Sequence, residues 1–350
     1  MKRTCSFILV GLLILPAHIS SQTLPAVPPS GYFDVVASNP KGTVENITYG
    51  SSYKARVYTP PGYSKDKKYA CMYLMHGMGG SEASWHDNDL YAHIQLDNLI
   101  AQKKVAPFVM VFTKNDMNNW NFEGPLINEL IPYIEKNYSV STDPDNRALG
   151  GLSMGGMQTI NIGFPNADKF HFLMPCSSAP GIQSESQLFQ DGGAKAKEHL
   201  KLLLFTCGEK EVGQYGCNNN NTVKGYCNNV KISKDIIFEF TAPGGAHDRN
   251  TWRPSFWNFA QMADNAGFTK VASTNALKYS INNFTVATTD RKADVFDLRG
   301  KFLKSFTATE SSNWARSFAP GSYIIQWQNG NRSHTGKYLI GDACNRLDER

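Results

Sequence analysis

The sequence predicts an α/β fold: a mostly parallel sheet covered by helices on both faces, followed by a small C-terminal antiparallel β module. Three observations carry this expectation. Tyr69 to Met75 is a continuous apolar run, as expected for a strand buried on both faces. Leu126, Leu130 and Ile134, beside Ile127 and Ile131, fall on one face of a helix. Such strands and helices alternate along the chain as far as residue 270, whereas the last eighty residues carry only short strand and turn signals.

In chain order, Lys2 and Arg3 precede an apolar stretch from Phe7 to Pro16 and then small and polar residues. Residues 1–21 therefore read as a secretory signal peptide, too short to span a membrane comfortably. Cys5 lies before the apolar core, which argues against lipid attachment. A Pro-rich extended segment runs from Gln22 to Ser38. Val44–Tyr49 and Tyr53–Tyr58 alternate as paired antiparallel strands. A helix carrying Ala92, Leu96, Leu99 and Ile100 follows the first buried strand, then a strand from Phe108 to Thr113. Pro132 is expected to kink or loosen the helix from Pro125 to Tyr138. Arg147–Leu149, Phe170–Pro175, Leu202–Thr206 and Ile236–Phe240 complete the strands, with a helix from Met157 to Ile162. Residues 22–270 thus read as one domain and 271–341 as the β module. A tail of 342–350 follows, and the domain boundary lies within 267–280. In the module, Ala293–Lys301, a strand ending in a turn, with Phe302–Phe306 as its partner, and Pro320–Trp327 followed by Asn329-Gly330-Asn331, are hairpin signals.

Composition fits a globular chain: 41% hydrophobic and 19% charged residues support a core and exclude extensive disorder. Much of the net charge of +5 lies outside the main domain, since residues 271–350 hold eleven Lys/Arg against seven Asp/Glu. The near-neutral main domain has no nucleic-acid footprint. Cys71, Cys176 and Cys207 sit in strand-like apolar runs and read as small core residues. Cys217 and Cys227 flank an asparagine-rich polar segment. In an exported protein this favours a Cys217–Cys227 disulfide, and Cys344 has no evident partner. No cysteine or histidine spacing suggests a metal site, and no cofactor is implied.

The chemistry concentrates in Gly151-Leu152-Ser153-Met154-Gly155. Gly-x-Ser-x-Gly between a strand and a helix is the pattern of a nucleophile elbow, where a strained turn exposes one serine hydroxyl and leaves no room for neighbouring Cβ atoms. In an α/β-hydrolase an acid and then a histidine follow, each on a loop after a strand. Among the histidines, only His247, which closes Ala242-Pro243-Gly244-Gly245-Ala246 after a strand, has that place, and its role would be general base. Glu209 and Glu211 both lie on the loop after Leu202–Thr206, and either could orient the imidazole. His76-Gly77-Met78-Gly79-Gly80 ends the first buried strand, where exposed backbone N–H groups could hold an oxyanion.

With these blocks go Arg56-Val57-Tyr58-Thr59-Pro60-Pro61-Gly62-Tyr63 and Trp252-Arg253-Pro254-Ser255-Phe256-Trp257. Together they resemble, across residues 40–266, the esterase-D-like feruloyl and acetylxylan esterases, including the esterase modules of bacterial xylanases. The resemblance implies an α/β-hydrolase fold with Ser153 as nucleophile, His247 as base and the N–H groups of Met154 and Met78 as oxyanion hole. The family's acid is an aspartate four residues after the cysteine of a Cys-Gly loop. That offset selects Glu211, whose extra methylene must be absorbed over about 1.5 Å.

Trp252 and Trp85, near the motifs, are candidates for the wall of an aromatic acyl site. The expected substrate is a feruloyl ester of plant cell-wall xylan, with acetylated xylan as the alternative. A thioester or formyl-glutathione, used by cytosolic relatives, fits poorly with export. An acyltransferase and a non-catalytic carbohydrate-binding protein are the other function classes. The C-terminal module resembles, on short motifs, the sorting or attachment modules of secreted Gram-negative enzymes. Its positive charge suits contact with acidic polysaccharide or a cell surface, so the expected location is secreted or cell surface.

Overall fold

The structure is a computed structural model that describes residues 25–87, 90–116, 121–271, 292–297, 301–307, 321–329 and 332–340. The signal segment, Cys5, Cys344 and the tail lie outside the described residues. Internal contacts divide the chain between Val271 and Ala272.

The larger unit is built on eight strands: β1 (Thr43–Tyr49), β2 (Tyr53–Thr59), β3 (Cys71–Met75), β4 (Val109–Thr113), β5 (Arg147–Leu152), β6 (Phe172–Cys176), β7 (Leu202–Gly208) and β8 (Ile237–Ala242). Their order in the sheet is β1-β2-β4-β3-β5-β6-β7-β8. The pairs β1/β2 and β2/β4 are antiparallel, and every pair from β4 to β8 is parallel. The chain moves outward from β3 to β4 and then crosses back to β5 on the other side. Loops at the carboxyl ends of β3 and β5 therefore diverge and leave a crevice between them, the usual place for a ligand in an open α/β sheet.

The helices are α1 (Ala92–Ala101), α2 (Glu123–Pro125), α3 (Ile131–Asn137), α4 (Met154–Gly163), α5 (Glu185–Leu188), α6 (Ala194–His199), α7 (Tyr215–Asn229) and α8 (Arg249–Asn265). Successive strand residues point to opposite faces, and β3 shows the result. Cys71, Tyr73 and Met75 pack with Ile134, Ile160 and Val223 from α3, α4 and α7. Met72 and Leu74 pack with Leu96 and Leu99 of α1 and Phe256 and Phe259 of α8. Burial of each such large side chain stabilises the fold by roughly 1.5–3 kcal/mol. Pro132 has the expected local effect. It cannot donate to the preceding turn, and Leu126–Leu130, between α2 and α3, widens into a π-helical turn.

Beyond Val271, β9 (Lys292–Phe296), β10 (Phe302–Thr307), β11 (Gly321–Asn329) and β12 (Arg332–Ile340) form a second sheet of order β10-β9-β11-β12. All its pairs are antiparallel, with the β11/β12 register closing at Asn329↔Arg332.

One expectation is corrected. The segment from Cys217 to Cys227 is not a loop but most of α7. Ten residues of α-helix separate two Cα atoms by about 15 Å, whereas a disulfide needs about 4.4–6.8 Å. Cys217 instead bonds Cys207 at the end of β7, with Cα atoms 5.4 Å apart, and Cys227 is a buried free thiol. Asparagine is a poor helix former, and tertiary contacts override it here. Asn220, for example, is buried, donating to Thr206 O (2.9 Å) and accepting from Ser178 Oγ (2.7 Å). Unreduced peptide mapping is expected to join the Cys207 and Cys217 peptides. Cys217→Ser, by opening a ten-residue link, should lower Tm by about 4–10 °C. A recovered Cys217–Cys227 peptide pair would contradict the pairing.

Candidate active site

Ser153 sits between β5 and α4 with φ 54° and ψ −114°. This is a backbone state that costs a non-glycine residue on the order of 1–3 kcal/mol. The surroundings hold it there, since Ser153 N donates to Cys176 O on β6 (2.9 Å) and Ser153 O accepts from Ala179 N (2.9 Å). Close backbone packing explains the glycines. A Cβ on Gly151 would lie 2.4 Å from Gly155 O, one on Gly155 2.4 Å from Met75 O, and one on Gly156 2.5 Å from Cys176 O.

Three side chains from separate strand ends meet at this turn. Glu211 Oε1 lies 2.7 Å from His247 Nδ1, and His247 Nε2 lies 2.9 Å from Ser153 Oγ. An ionised carboxylate only accepts, so Nδ1 carries the ring proton and Nε2 is left to accept from the serine hydroxyl. Glu211 is 2% exposed. Burial pushes its pKa up, but donors at His247, Ser177 Oγ (2.7 Å) and Gly208 N (2.8 Å) outweigh that, and the net shift is downward. It therefore stays charged into acidic pH, and its contribution to stability is lost only as pH falls through that lowered value.

The extra methylene of Glu211 is absorbed locally. Glu209–Glu211 form a 3-10 turn directly after β7, so the side chain folds back to accept from Gly208 N at the turn's own start. Gly216 on α7 packs against it, and a Cβ there would lie 2.4 Å from Glu211 Oε1. The Cys207–Cys217 bond fastens this first turn of α7 to the end of β7. Glu209 is apart from the imidazole, exposed, with Oε2 accepting from Gly244 N (2.7 Å). Asp248 caps α8 through Asn250 N (2.8 Å).

The glycine-rich loop after β3 faces the serine. Gly80 N donates to Gly77 O (3.0 Å), and Gly79 takes φ +74°, the turn position that favours glycine. A Cβ on Gly77 would come within 3.2 Å of Ser153 Cβ. A buried polar network fixes the loop from behind. Asn115 Oδ1 accepts from His76 N (2.8 Å), while Asn115 Nδ2 donates to His76 O (3.0 Å) and Gln158 Oε1 (2.6 Å). The His76 ring donates from Nδ1 to Gly77 O (2.6 Å), and burial lowers its pKa. Met154 begins α4, where the first-turn N–H groups have no intrahelical acceptor.

A cleft of about 680 Å³ opens over Ser153 and His247. Met78, Tyr215, Trp252 and Leu90 supply apolar wall, and Arg249 and Asn250 polar rim. Trp252 and Tyr215 stand against the His247 ring at centroid distances of 5.2 and 5.3 Å. Trp85 is corrected: it is 1% exposed, donates from Nε1 to Met75 O (2.9 Å), packs near Phe256, and is absent from the cleft wall. Its place is behind the loop, as support. Sequence reasoning missed Ser177, Asn115, Gln158 and Tyr215. Each is an ordinary polar or aromatic residue in sequence and acquires its part only through contacts far along the chain. Among the described residues, no group of His, Cys, Asp and Glu is arranged to hold a metal ion.

The arrangement can draw a proton from the Ser153 hydroxyl and place negative charge beside backbone N–H groups. On this geometry, Glu211→Gln should lower kcat by about 10³–10⁴-fold with KM little changed, because the imidazole loses its orienting carboxylate. Glu209→Gln keeps an acceptor for Gly244 N and should stay within about twofold of the native rate. The reverse ranking in steady-state kinetics would reject the assignment.

The putative esterase family model matches residues 47–261. The chain is 31% identical over 244 residues to an endo-1,4-beta-xylanase/feruloyl esterase of Xylanibacter ruminicola, covering 63% of this chain and 31% of that protein. It is 34% identical over 134 residues to endo-1,4-beta-xylanase Y of Acetivibrio thermocellus, covering 35% of this chain and 12% of that protein. It thus spans less than a third of the length of either relative. A CE1 ferulic acid esterase from Anaeromyces mucronatus, solved with ferulic acid, superposes with a TM-score of 0.61 at 24% identity, over 70% of this chain and 98% of that one. The feruloyl esterase module from Clostridium thermocellum, solved with sinapinate, gives 0.54 at 21%, over 71% and 94%. These two likenesses establish the fold. With a family match that takes in both the elbow and the His247 loop, the chain belongs to the putative esterase family and has an α/β-hydrolase architecture.

Proposed function

We propose that this esterase is exported and cleaves feruloyl (hydroxycinnamoyl) esters on plant cell-wall xylan through an acyl-Ser153 intermediate. The observation that carries this reading is the combination of the Ser153–His247–Glu211 chain with an apolar cleft mouth. Met78 is 73% exposed and Tyr215 46%, and both line the cleft beside Trp252. Solvent-facing apolar groups beside a reactive serine suit a flat aromatic acyl group. The relative named as a xylanase/feruloyl esterase and the structure solved with ferulic acid support the same substrate class. Export rests on the features of residues 1–21, and attachment to a cell surface on the resemblance of the C-terminal module.

In this reading Ser153 Oγ attacks the ester carbonyl carbon while His247 Nε2 takes its proton. The N–H groups of Met154 and Met78 hold the oxyanion. The bond to the sugar oxygen then breaks, and His247 returns the proton to the departing alcohol. Water, deprotonated by the same nitrogen, attacks the acyl carbon and releases the acid and Ser153. Arg249 and Asn250 also border a second cavity of about 350 Å³ formed with Val27, Tyr32 and Phe33, which extends the surface available to a polymeric alcohol.

A panel of methyl ferulate, acetylated xylan and p-nitrophenyl acetate, run on the mature protein, tests the proposal. Methyl ferulate is expected to give the highest kcat/KM, and Trp252→Ala to reduce it about tenfold or more. Ser153→Ala should abolish turnover of all three substrates while the circular dichroism spectrum is unchanged. Preference for acetylated xylan, or acyl transfer to added sugars in place of hydrolysis, would overturn the feruloyl reading.

A further inference from the structure

One buried serine touches the triad acid and has no part in the steps above. Ser177 follows β6, is fully buried, and holds φ +46°, in the left-handed region. Its backbone N–H donates to Thr206 O on β7 (2.7 Å). Its Oγ lies 2.7 Å from Glu211 Oε2 and 3.2 Å from Trp252 Nε1. Chemistry fixes the direction of both bonds, since an indole N–H only donates and a carboxylate only accepts. The hydroxyl therefore receives from Trp252 and donates to Glu211.

Two further facts give this bond consequence. Glutamate has one more rotatable bond than aspartate, so holding its carboxylate in one pose needs one more restraint. Gly208 N pins Oε2 from one side, and Ser177 Oγ is, among the described residues, the one side-chain donor that holds the same oxygen from another. In addition, a left-handed backbone strains a serine where a glycine would be at ease. The hydroxyl is what a glycine could not supply.

We infer that Ser177 is a positioning residue. By receiving the Trp252 N–H and donating to Glu211 Oε2, it joins the cleft wall and the triad acid into one hydrogen-bonded unit, and keeps Oε1 aimed at His247 Nδ1. The inference rests on the triad assignment and not on the identity of the acyl group. The ionisable groups facing Glu211 are His247, on the loop before α8, and the Cys176 thiol of β6, which burial pushes up to about 12 and so keeps neutral.

The test uses p-nitrophenyl acetate and four variants: Ser177→Gly, Ser177→Ala, Trp252→Phe and the Ser177→Gly/Trp252→Phe double. Ser177→Gly should remain folded, with kcat down about 10- to 100-fold, the factor for losing a hydrogen bond to a charged group, and KM within about twofold. The acid limb of its kcat/KM profile should move to higher pH, because the carboxylate has lost a donor. Trp252→Phe removes the N–H but keeps a ring against His247. It should lower kcat in the native background and cause no further loss in the Ser177→Gly background. A folded Ser177→Gly enzyme with native kcat and an unmoved acid limb overturns the inference, as does an equal Trp252→Phe effect in both backgrounds. Should Ser177→Gly unfold, Ser177→Ala is read by the same criteria. Ser153→Ala in the same assay separates the cases: if it stays active the triad assignment itself fails, and if it is dead while the Ser177 variants are native only this inference fails.

Discussion

A carboxylate taken out of water must be met by donors, and the site depends on how this chain meets that demand for Glu211. An unpaired buried charge costs several kcal/mol, a large part of the 5–15 kcal/mol or so that keeps a domain folded. Donors arrive from three separate places: Gly208 N within the same turn, Ser177 Oγ from the end of β6, and His247 Nδ1 from the loop after β8. Each comes from a different strand end, so the parallel order β6-β7-β8 is what lets them converge. The sheet is thus more than a platform. Its register sets which loops share a carboxylate.

The glycine-rich loop that faces Ser153 follows the same logic with neutral groups. His76, Asn115 and Gln158 are all buried, and they bond one another and the backbone of the loop that ends β3. Trp85 adds a donor to Met75 O from beneath. Fully satisfied buried polar networks of this kind specify one geometry, which is what donors aimed at a transient charge require. The exposed apolar parts of the cleft, the side chains of Met78 and Tyr215, lie outside this shell.

Much of this was legible in the sequence because it is local. The run from Tyr69 to Met75, the five letters around Ser153 and the position of His247 after a strand each report their own backbone. The offset of Glu211 from Cys207 was legible too, through resemblance. What escaped is non-local or contrary to propensity. An asparagine-rich stretch forms α7 because Val223, Cys227 and Asn220 are buried against the rest of the domain, and the disulfide changed partner as a direct result. Trp85 and Trp252 are equally near the motifs in sequence. Only the turn of the chain after β3 buries the first, while the second is left in the cleft.

The packing around Ser153 also divides the site into positions that can drift and positions that cannot. At Gly151, Gly155 and Gly156 the nearest obstacles are backbone atoms of α4, β3 and β6, and no rotamer change moves a backbone carbonyl. The acid is held in a mixed way: a Cβ on Gly208 would also lie 2.5 Å from a backbone carbonyl, that of Gly245, whereas Gly216 on α7 first meets the side chain of Glu211. A lineage could therefore exchange one carboxylate for another of different length at the third triad position while its elbow stays frozen. For an engineer, the exposed Tyr215 face of α7 is where variation fits most easily, and the elbow is a fixed part around which any new specificity has to be built.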